Sequence, residues 1–328
     1  MGWLRAFGRF FEQKIGLHRL GIVLSLIIIA IAAVVLYRKL HNINVGKVLT
    51  AMATVEYRDV AISALFVAAG YFTLTFYDLF ALRTIGRKDI PYRIAALGGF
   101  TSYSVGHNVG ASVFTGGAVR YRIYSHWGLD AIEVAKICFI AGLTFWLGNV
   151  TVLGFGFAYH PQAAAAIDQM PLWLNRSLGI IALIVLAGYI GWVWRTPRII
   201  GRQNWQVQLP NGPSTLLQIV IGIVDLSCCA MAMYVLVPNE PHMQFVDIAV
   251  IFITATLLGF ASHSPGGLGV FDAAMLVALW QFDAEELLAG LLIFRLLYYI
   301  MPFALALAVL GIREFRLHFL ERHDAGDR

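Results

Sequence analysis

Charge is what this sequence has least of. Only 13% of its 328 residues are Asp, Glu, Lys or Arg, against roughly 25% in a soluble domain. Cysteine is almost missing. Cys138, Cys228 and Cys229 all lie in apolar stretches, two of them adjacent, which speaks against a disulfide framework and for small buried hydrophobes. The nine histidines are scattered, without HxxxH or HExxH spacing, so no metal centre is expected. No nucleotide-binding motif occurs, so direct ATP hydrolysis is not expected, nor is any cofactor. The net charge of +5 does not point to nucleic acid. The basic residues sit beside apolar runs, where anionic headgroups and the positive-inside rule put them. No cleavable signal peptide is apparent, and nothing outside the apolar runs is long enough to bury a core.

What fills the chain instead is uncharged sequence. Leu20–Tyr37, Val60–Tyr77, Ile137–Tyr159, Ser177–Trp194 and Ile248–Phe271 each reach 18 residues or more, and about 20 apolar residues span a bilayer. The short alternating segments of a membrane β-barrel are not seen. The fold class is therefore an all-α polytopic membrane protein. Residues 1–19 carry Arg5, Arg9, Lys14 and Arg19 among Trp3, Phe7, Phe10 and Phe11, the pattern of an amphipathic helix lying in the interface.

Basic residues set the topology. With the N-terminus inside, Leu20–Tyr37 leads outward and Val60–Leu82 back to Arg83, Arg87, Lys88 and Arg93. Ile94–Val119 is broken by glycines, His107 and Asn108 and ends in Arg120 and Arg122, so it reads as a hairpin that leaves on the side it entered. Ile132–Tyr159 leads outward to 160–175, which holds no Lys or Arg, and Ser177–Trp194 returns to Arg195, Arg198 and Arg202. Ser214–Val237 goes out again. The stretch 245–262 is either a full crossing or one leg of a second hairpin with 266–282. The hairpin leaves Arg313, Arg316 and Arg322 inside, as their charge requires. The loop with Arg38, Lys39, Lys47 and Arg58 runs against the rule. This gives about 6 crossings plus two re-entrant hairpins, or about 8 membrane segments. Its parts are a first repeat at 20–160, a second at 161–312 and a tail at 313–328, with both termini in the cytoplasm.

The two hairpins share a phrase. "GFTSYSVGHNVG" at 99–110 and "GFASHSPGGLG" at 259–269 agree in Gly-Phe-x-Ser-x-Ser-x-Gly at an offset of 160, and "WGLDAIE" at 127–133 matches "WQFDAEE" at 280–286. Each half has an odd number of crossings, so the second is inverted. Inverted repeats with glycine-broken segments in matching places mark transporters, and the breaks point to the substrate. The two turns are expected to meet near the midplane, where helix N-termini would favour an anion such as phosphate. The plainer alternative is that the glycines only allow close helix packing.

The segments "SYSVGHNVGASVFTGGAVRYRIYS" (102–125) and "SHSPGGLGVFDAAML" (262–276) resemble the signature segments of the lysylphosphatidylglycerol synthase transmembrane family. The resemblance runs over roughly residues 20–312. That family includes the flippase half of the bacterial multiple peptide resistance factor. The resemblance implies a lipid flippase of the bacterial inner membrane, carrying a phospholipid such as aminoacylated phosphatidylglycerol, and a link to antimicrobial peptide resistance. The aminoacyl-transferase domain does not appear in this sequence, so synthase activity is not expected. A separately encoded lipid-modifying enzyme is the partner this implies, and a homo-oligomer is compatible with it. Asp272 stands where the family more often has Glu, and Arg120 resembles its motif arginine.

Ionisable groups inside spans are functional candidates by default. Arg120 and Arg122 close the first hairpin and suit bidentate phosphate binding, or serve as ordinary positive-inside flanks. Asp78, Asp225 and Asp272 are candidates to attract a cationic headgroup substituent, with Arg295 neutralising one of the acids and Asp225 its expected partner. Asp78 also reads as an interfacial residue, Asp225 as a helix-packing acid, and Asp272 as a helix cap. His107, Asn108, His263 and Ser264 line the turns. Glu133 and Glu286 suit helix starts. Two other functions stay open: a structural or assembly subunit, and an intramembrane hydrolase using Ser102, Ser104, Ser262 or Ser264 with His107 or His263.

Overall fold

The structure is a computed structural model that describes residues 17–41, 43–110, 112–196, 198–202 and 205–326. The amphipathic segment expected over 1–19 lies outside the described residues but for its last three, which begin the first helix.

Helices form where the uncharged runs are. They are α1 (Leu17–Leu40), α2 (Val45–Thr54), α3 (Tyr57–Thr84), α4 (Tyr92–Val109), α5 (Ser112–Tyr124) and α6 (Ala131–Tyr159). They continue as α7 (Pro161–Asp168), α8 (Leu172–Val193), α9 (Gly212–Tyr234), α10 (Phe245–Ala261), α11 (Val270–Ala278), α12 (Ala284–Arg295) and α13 (Met301–Gly326). A π-helical turn, Leu296–Ile300, joins α12 to α13. Among the described residues five helical rods are long and apolar enough to cross a membrane: α3, α6, α8, α9 and the rod Ala284–Arg316.

Sequence dictates where the helices start. In both copies of the second repeated phrase the Asp is an N-cap. Asp130 accepts from the Glu133 N–H at 2.7 Å, and Glu133 returns the bond to complete a capping box. Asp283 accepts from the N–H groups of Glu285 and Glu286. Glu133 thus has a helix-start role and also pairs with Arg87 at 3.2 Å. The first phrase makes the turns. α4 and α5 fold back on each other, bringing Gly116 against the Ser102 carbonyl. α10 and α11 do the same, with Phe252 edge-on to Phe271 at 5.7 Å. With 13 residues in α5 and 9 in α11, these legs are about 20 and 13 Å long at 1.5 Å per residue. Both fall short of the roughly 30 Å hydrocarbon core.

One long helix from each half runs against the other. Ser63 of α3 bonds the Ala232 carbonyl of α9 at 2.8 Å, while Tyr77, further along α3, reaches back to Asp225. α3 and α9 are therefore antiparallel. α6 and α9 cross where Gly148 meets Gly222, and a Cβ on either would fall 2.8 Å from the other's backbone. Only glycine allows that approach. The main core lies between α3, α9, α10, α11 and α12, around Tyr77, Met233, Ile251, Phe271 and Phe294.

Three elements were not foreseen. α2 occupies the loop that breaks the charge rule, α7 forms from the 160–175 loop, and a small antiparallel hairpin pairs β1 (Ile199–Arg202) with β2 (Trp205–Gln208). Val207 of that hairpin is buried in a second core with Ile123, Tyr124 and Ile137, at the arginine-rich end of the bundle.

Candidate functional site

Helical spacing assembles the site. Residues four apart share a helix face, and three such pairs turn inward: Arg120 and Tyr124 on α5, Tyr103 and His107 on α4, Asp225 and Cys229 on α9. Tyr77 and Asp78 are neighbours on α3, about 100° apart around the helix. Asp78 therefore faces the first hairpin while Tyr77 faces α9.

Among the described residues four charged groups are buried: Asp78 at 0%, Asp225 at 4%, Arg120 at 5% and Arg295 at 8% exposure. Asp78 is fully engaged. Arg120 donates to it through Nε at 2.9 Å and Nη2 at 2.7 Å, and the Tyr124 hydroxyl donates at 2.7 Å. The Arg120 guanidinium also lies over the Tyr103 ring, 4.9 Å from its centroid. This places Asp78 in the interior and not at an interface. Arg120 likewise is no water-exposed flank, because its forked face is occupied by a carboxylate. Arg122, two residues on, is exposed and pairs with Glu314 of α13.

The second pair differs from expectation in its partner. Arg295 donates to Asp272 through Nε at 2.8 Å and Nη2 at 2.6 Å, and through Nη1 to the Gly266 carbonyl at 3.1 Å. Arg295 does not meet Asp225. The α12 face that carries it looks onto the second turn, whereas Asp225 sits across the bundle against Tyr77. Asp272 also takes the expected capping role, accepting from the Gly269 N–H at 3.1 Å.

Asp225 is thus the buried acid left over. It accepts from the Tyr77 hydroxyl at 2.9 Å and lies near the Cys229 thiol at 3.9 Å. Among the described residues no cationic nitrogen lies within ion-pair distance of it. A small cavity of about 30 Å³ borders Asp225, Tyr103, His107, Asn149, Cys229 and Tyr298. That is room for about two waters, taking one per roughly 10–15 Å³. Two polar atoms of its lining, His107 Nδ1 and Asn149 Oδ1, are buried with no hydrogen-bond partner among the described residues.

The two turns touch. Gly110, at φ +81°, lies against the backbone of His263 and Pro265, and Asn108 donates to the Tyr299 carbonyl at 3.0 Å. Asn108 therefore ties the first turn to the π turn. His263 is exposed, its Nδ1 3.0 Å from the Ala261 carbonyl oxygen, and Ser264 shares a 2.8 Å hydrogen bond with Ser262. No Ser–His hydrogen bond occurs among the described residues, so the geometry offers no activated serine. Nor does any group of three His, Cys, Asp or Glu among them form a metal site. Charge scanning missed Tyr77, Tyr103, Tyr124, Asn149 and Tyr298. For Tyr77, Tyr103 and Tyr298 a signal was available: a tyrosine inside an uncharged run tends to place its hydroxyl on a partner.

Long apolar helices, two hairpins in contact at their turns and buried ion pairs define a multi-pass helical membrane protein. The chain belongs to the family described as the lysylphosphatidylglycerol synthase TM region, whose model matches residues 22–306. It is 29% identical over 285 residues to uncharacterized protein slr0712 of Synechocystis sp., covering 87% of this chain and 88% of that protein. Inner membrane protein YbhN of Escherichia coli is 28% identical over 248 residues, 74% of this chain and 76% of its own. Phosphatidylglycerol lysyltransferase of Staphylococcus aureus is 25% identical over 288 residues, which are 86% of this chain but 32% of the longer protein.

Proposed function

We propose that the protein moves a phospholipid between the leaflets of a bacterial inner membrane, and that Asp225 receives a cationic substituent of its headgroup. The observation that carries this is the inequality among the buried acids. Among the described residues Asp78 and Asp272 each hold an arginine, whereas Asp225 holds none and borders a cavity with two unpaired polar atoms. A buried carboxylate without a counter-charge is costly, so a ligand that supplies one binds with a corresponding gain. An aminoacyl ammonium or an ethanolamine ammonium is such a ligand. The S. aureus relative, by its name, transfers lysyl groups to phosphatidylglycerol, and it matches this chain over its membrane region alone. A separately encoded enzyme would then supply the modified lipid.

In this reading the hairpins are re-entrant, and the Arg120–Asp78 and Arg295–Asp272 pairs brace them against the long helices. The test is reconstitution in proteoliposomes with fluorescent lysyl-phosphatidylglycerol, phosphatidylethanolamine and plain phosphatidylglycerol, reading outer-leaflet accessibility. The expected result is faster movement of the two cationic-headgroup lipids, lost in Asp225→Asn while folding is retained. Equal rates for all three lipids, unchanged in Asp225→Asn, would remove Asp225 from the headgroup role.

A further inference from the structure

A groove of about 560 Å³ runs along the outer surface between α3, α4 and the α12–α13 rod. Val67, Phe72, Leu97, Phe100, Leu297 and Leu305 make its walls apolar. Its two hydroxyl groups are already used. Tyr71 donates to the Tyr298 carbonyl at 2.9 Å, and Thr75 is bonded to the Phe72 carbonyl and the Tyr92 hydroxyl. Arg93 is different. Among the described residues it is the one cation lining the groove, it is exposed, and it pairs with none of them. It also stands in the first turn of α4, whose N-cap Pro91 gives no side-chain cap. A cation there opposes the helix dipole, so helix stability does not explain it. An anion at that spot would meet both the guanidinium and the free N–H groups of the turn.

The groove has the length of half a membrane. Its α3 wall runs from Ala64 to Thr75, about 16 Å at 1.5 Å per residue, and half of the hydrocarbon core is about 15 Å. Charge and length together name the occupant. We infer that this groove holds a phospholipid of the arginine-rich leaflet, one acyl chain along α3 and its phosphate on Arg93 and the α4 N-terminus. Resting on the transport reading, it is the place where the lipid waits before entry. The partition from the interior is thin. Tyr71 lines the groove, and its hydroxyl bonds Tyr298, which lines the Asp225 cavity.

The test is photo-crosslinking of the purified protein in nanodiscs, using phosphatidylglycerol or neutral diacylglycerol with a diazirine in mid-chain. Adducts are mapped by mass spectrometry. Wild type is expected to give phosphatidylglycerol adducts at 64–75 and 96–100. Arg93→Ala should lower them by about tenfold, the value of one charge-assisted contact, and leave diacylglycerol adducts unchanged. Ala68→Trp, which fills the groove from an exposed position, should remove both. Thermal unfolding checks that each variant is folded. Equal labelling by both probes in wild type or insensitivity to Arg93→Ala would overturn the inference. The readout is binding and not flux, so adducts at 64–75 and 96–100 persist if no lipid crosses, and flux persists if the groove is idle.

Discussion

The two halves each tie a hairpin to a long helix with one Arg–Asp pair, but they exchange the partners. In the first half the arginine, Arg120, is on the hairpin and the acid, Asp78, on the long helix. In the second the acid, Asp272, is on the hairpin and the arginine, Arg295, on the rod. The attraction is symmetric in sign, so either arrangement neutralises both charges at the same separation. The surroundings are not symmetric. The first pair is sealed and reinforced by Tyr124, while the side chains of the second keep 10% and 13% exposure and share their donors with a backbone carbonyl. The lesson is that each hairpin is braced by one ion pair drawn from a different neighbour, the helix before it in the first half and the rod after it in the second, and that the sealing around the two pairs differs.

The largest effect should come from breaking the sealed pair. Arg120→Ala strands Asp78, at a cost of about 3–5 kcal/mol, read as lost yield and a lowered Tm in detergent. A Tm equal to wild type would mean the pair is not a brace. The exchange itself can be tested next. Asp78→Arg with Arg120→Asp copies the order of the second half, and the acid at 120 stays one turn from Tyr124. The double variant should regain roughly half of the single-variant loss, as coupled neighbours do. No recovery would show that sign matters as well as pairing.

Arg295→Ala should cost less, about 2 kcal/mol, the scale of hydrogen bonds to a charged group, because water can reach Asp272. A loss equal to that of Arg120→Ala would erase the difference between the halves. Asp225→Asn removes no ion pair and keeps an acceptor for Tyr77, so its stability change should stay within about 1 kcal/mol. A large loss would reveal a cation on Asp225 that supports the fold. The smallest effect is expected from Arg122→Ala, whose exposed pair with Glu314 is worth about 0.5 kcal/mol, measured by the same thermal unfolding.

Much of this was readable in residue order. Apolar runs located α3, α6, α8 and α9, and the repeated phrases located two turns and two capped helix starts, because each depends on neighbours within a few positions. The ion-pair partners were less readable. Arg120 and Asp78 are 42 residues apart, and Arg295 and Asp272 are 23 apart. Composition showed that Arg295 needs an acid and pointed to Asp225, but the side chain went to Asp272, which its helix face reaches. α2 and α7 escaped notice because 10 and 8 residues are too short to show periodicity beside full spans. The β hairpin escaped because the Arg-rich stretch before it reads as loop. His263 and Asn108 stood in the right turns, but a turn fixes where the backbone goes and not which side chains face inward.

The π turn at Leu296–Ile300 sets the phase of the last rod. The Met301 N–H bonds the Leu296 carbonyl five residues back, so one residue is taken up without advancing the spiral. That extra residue lets adjacent Tyr298 and Tyr299 both serve the interior. Tyr298 stacks on Phe294 at 5.2 Å, and Tyr299 sits 5.5 Å from the Arg295 guanidinium. Removing any one residue from this stretch would turn Arg295 by about 100° relative to 301–316, swinging it off Asp272 without altering a single charge. The rod is therefore keyed by its residue count, and a deletion here would do the damage of a substitution several residues away.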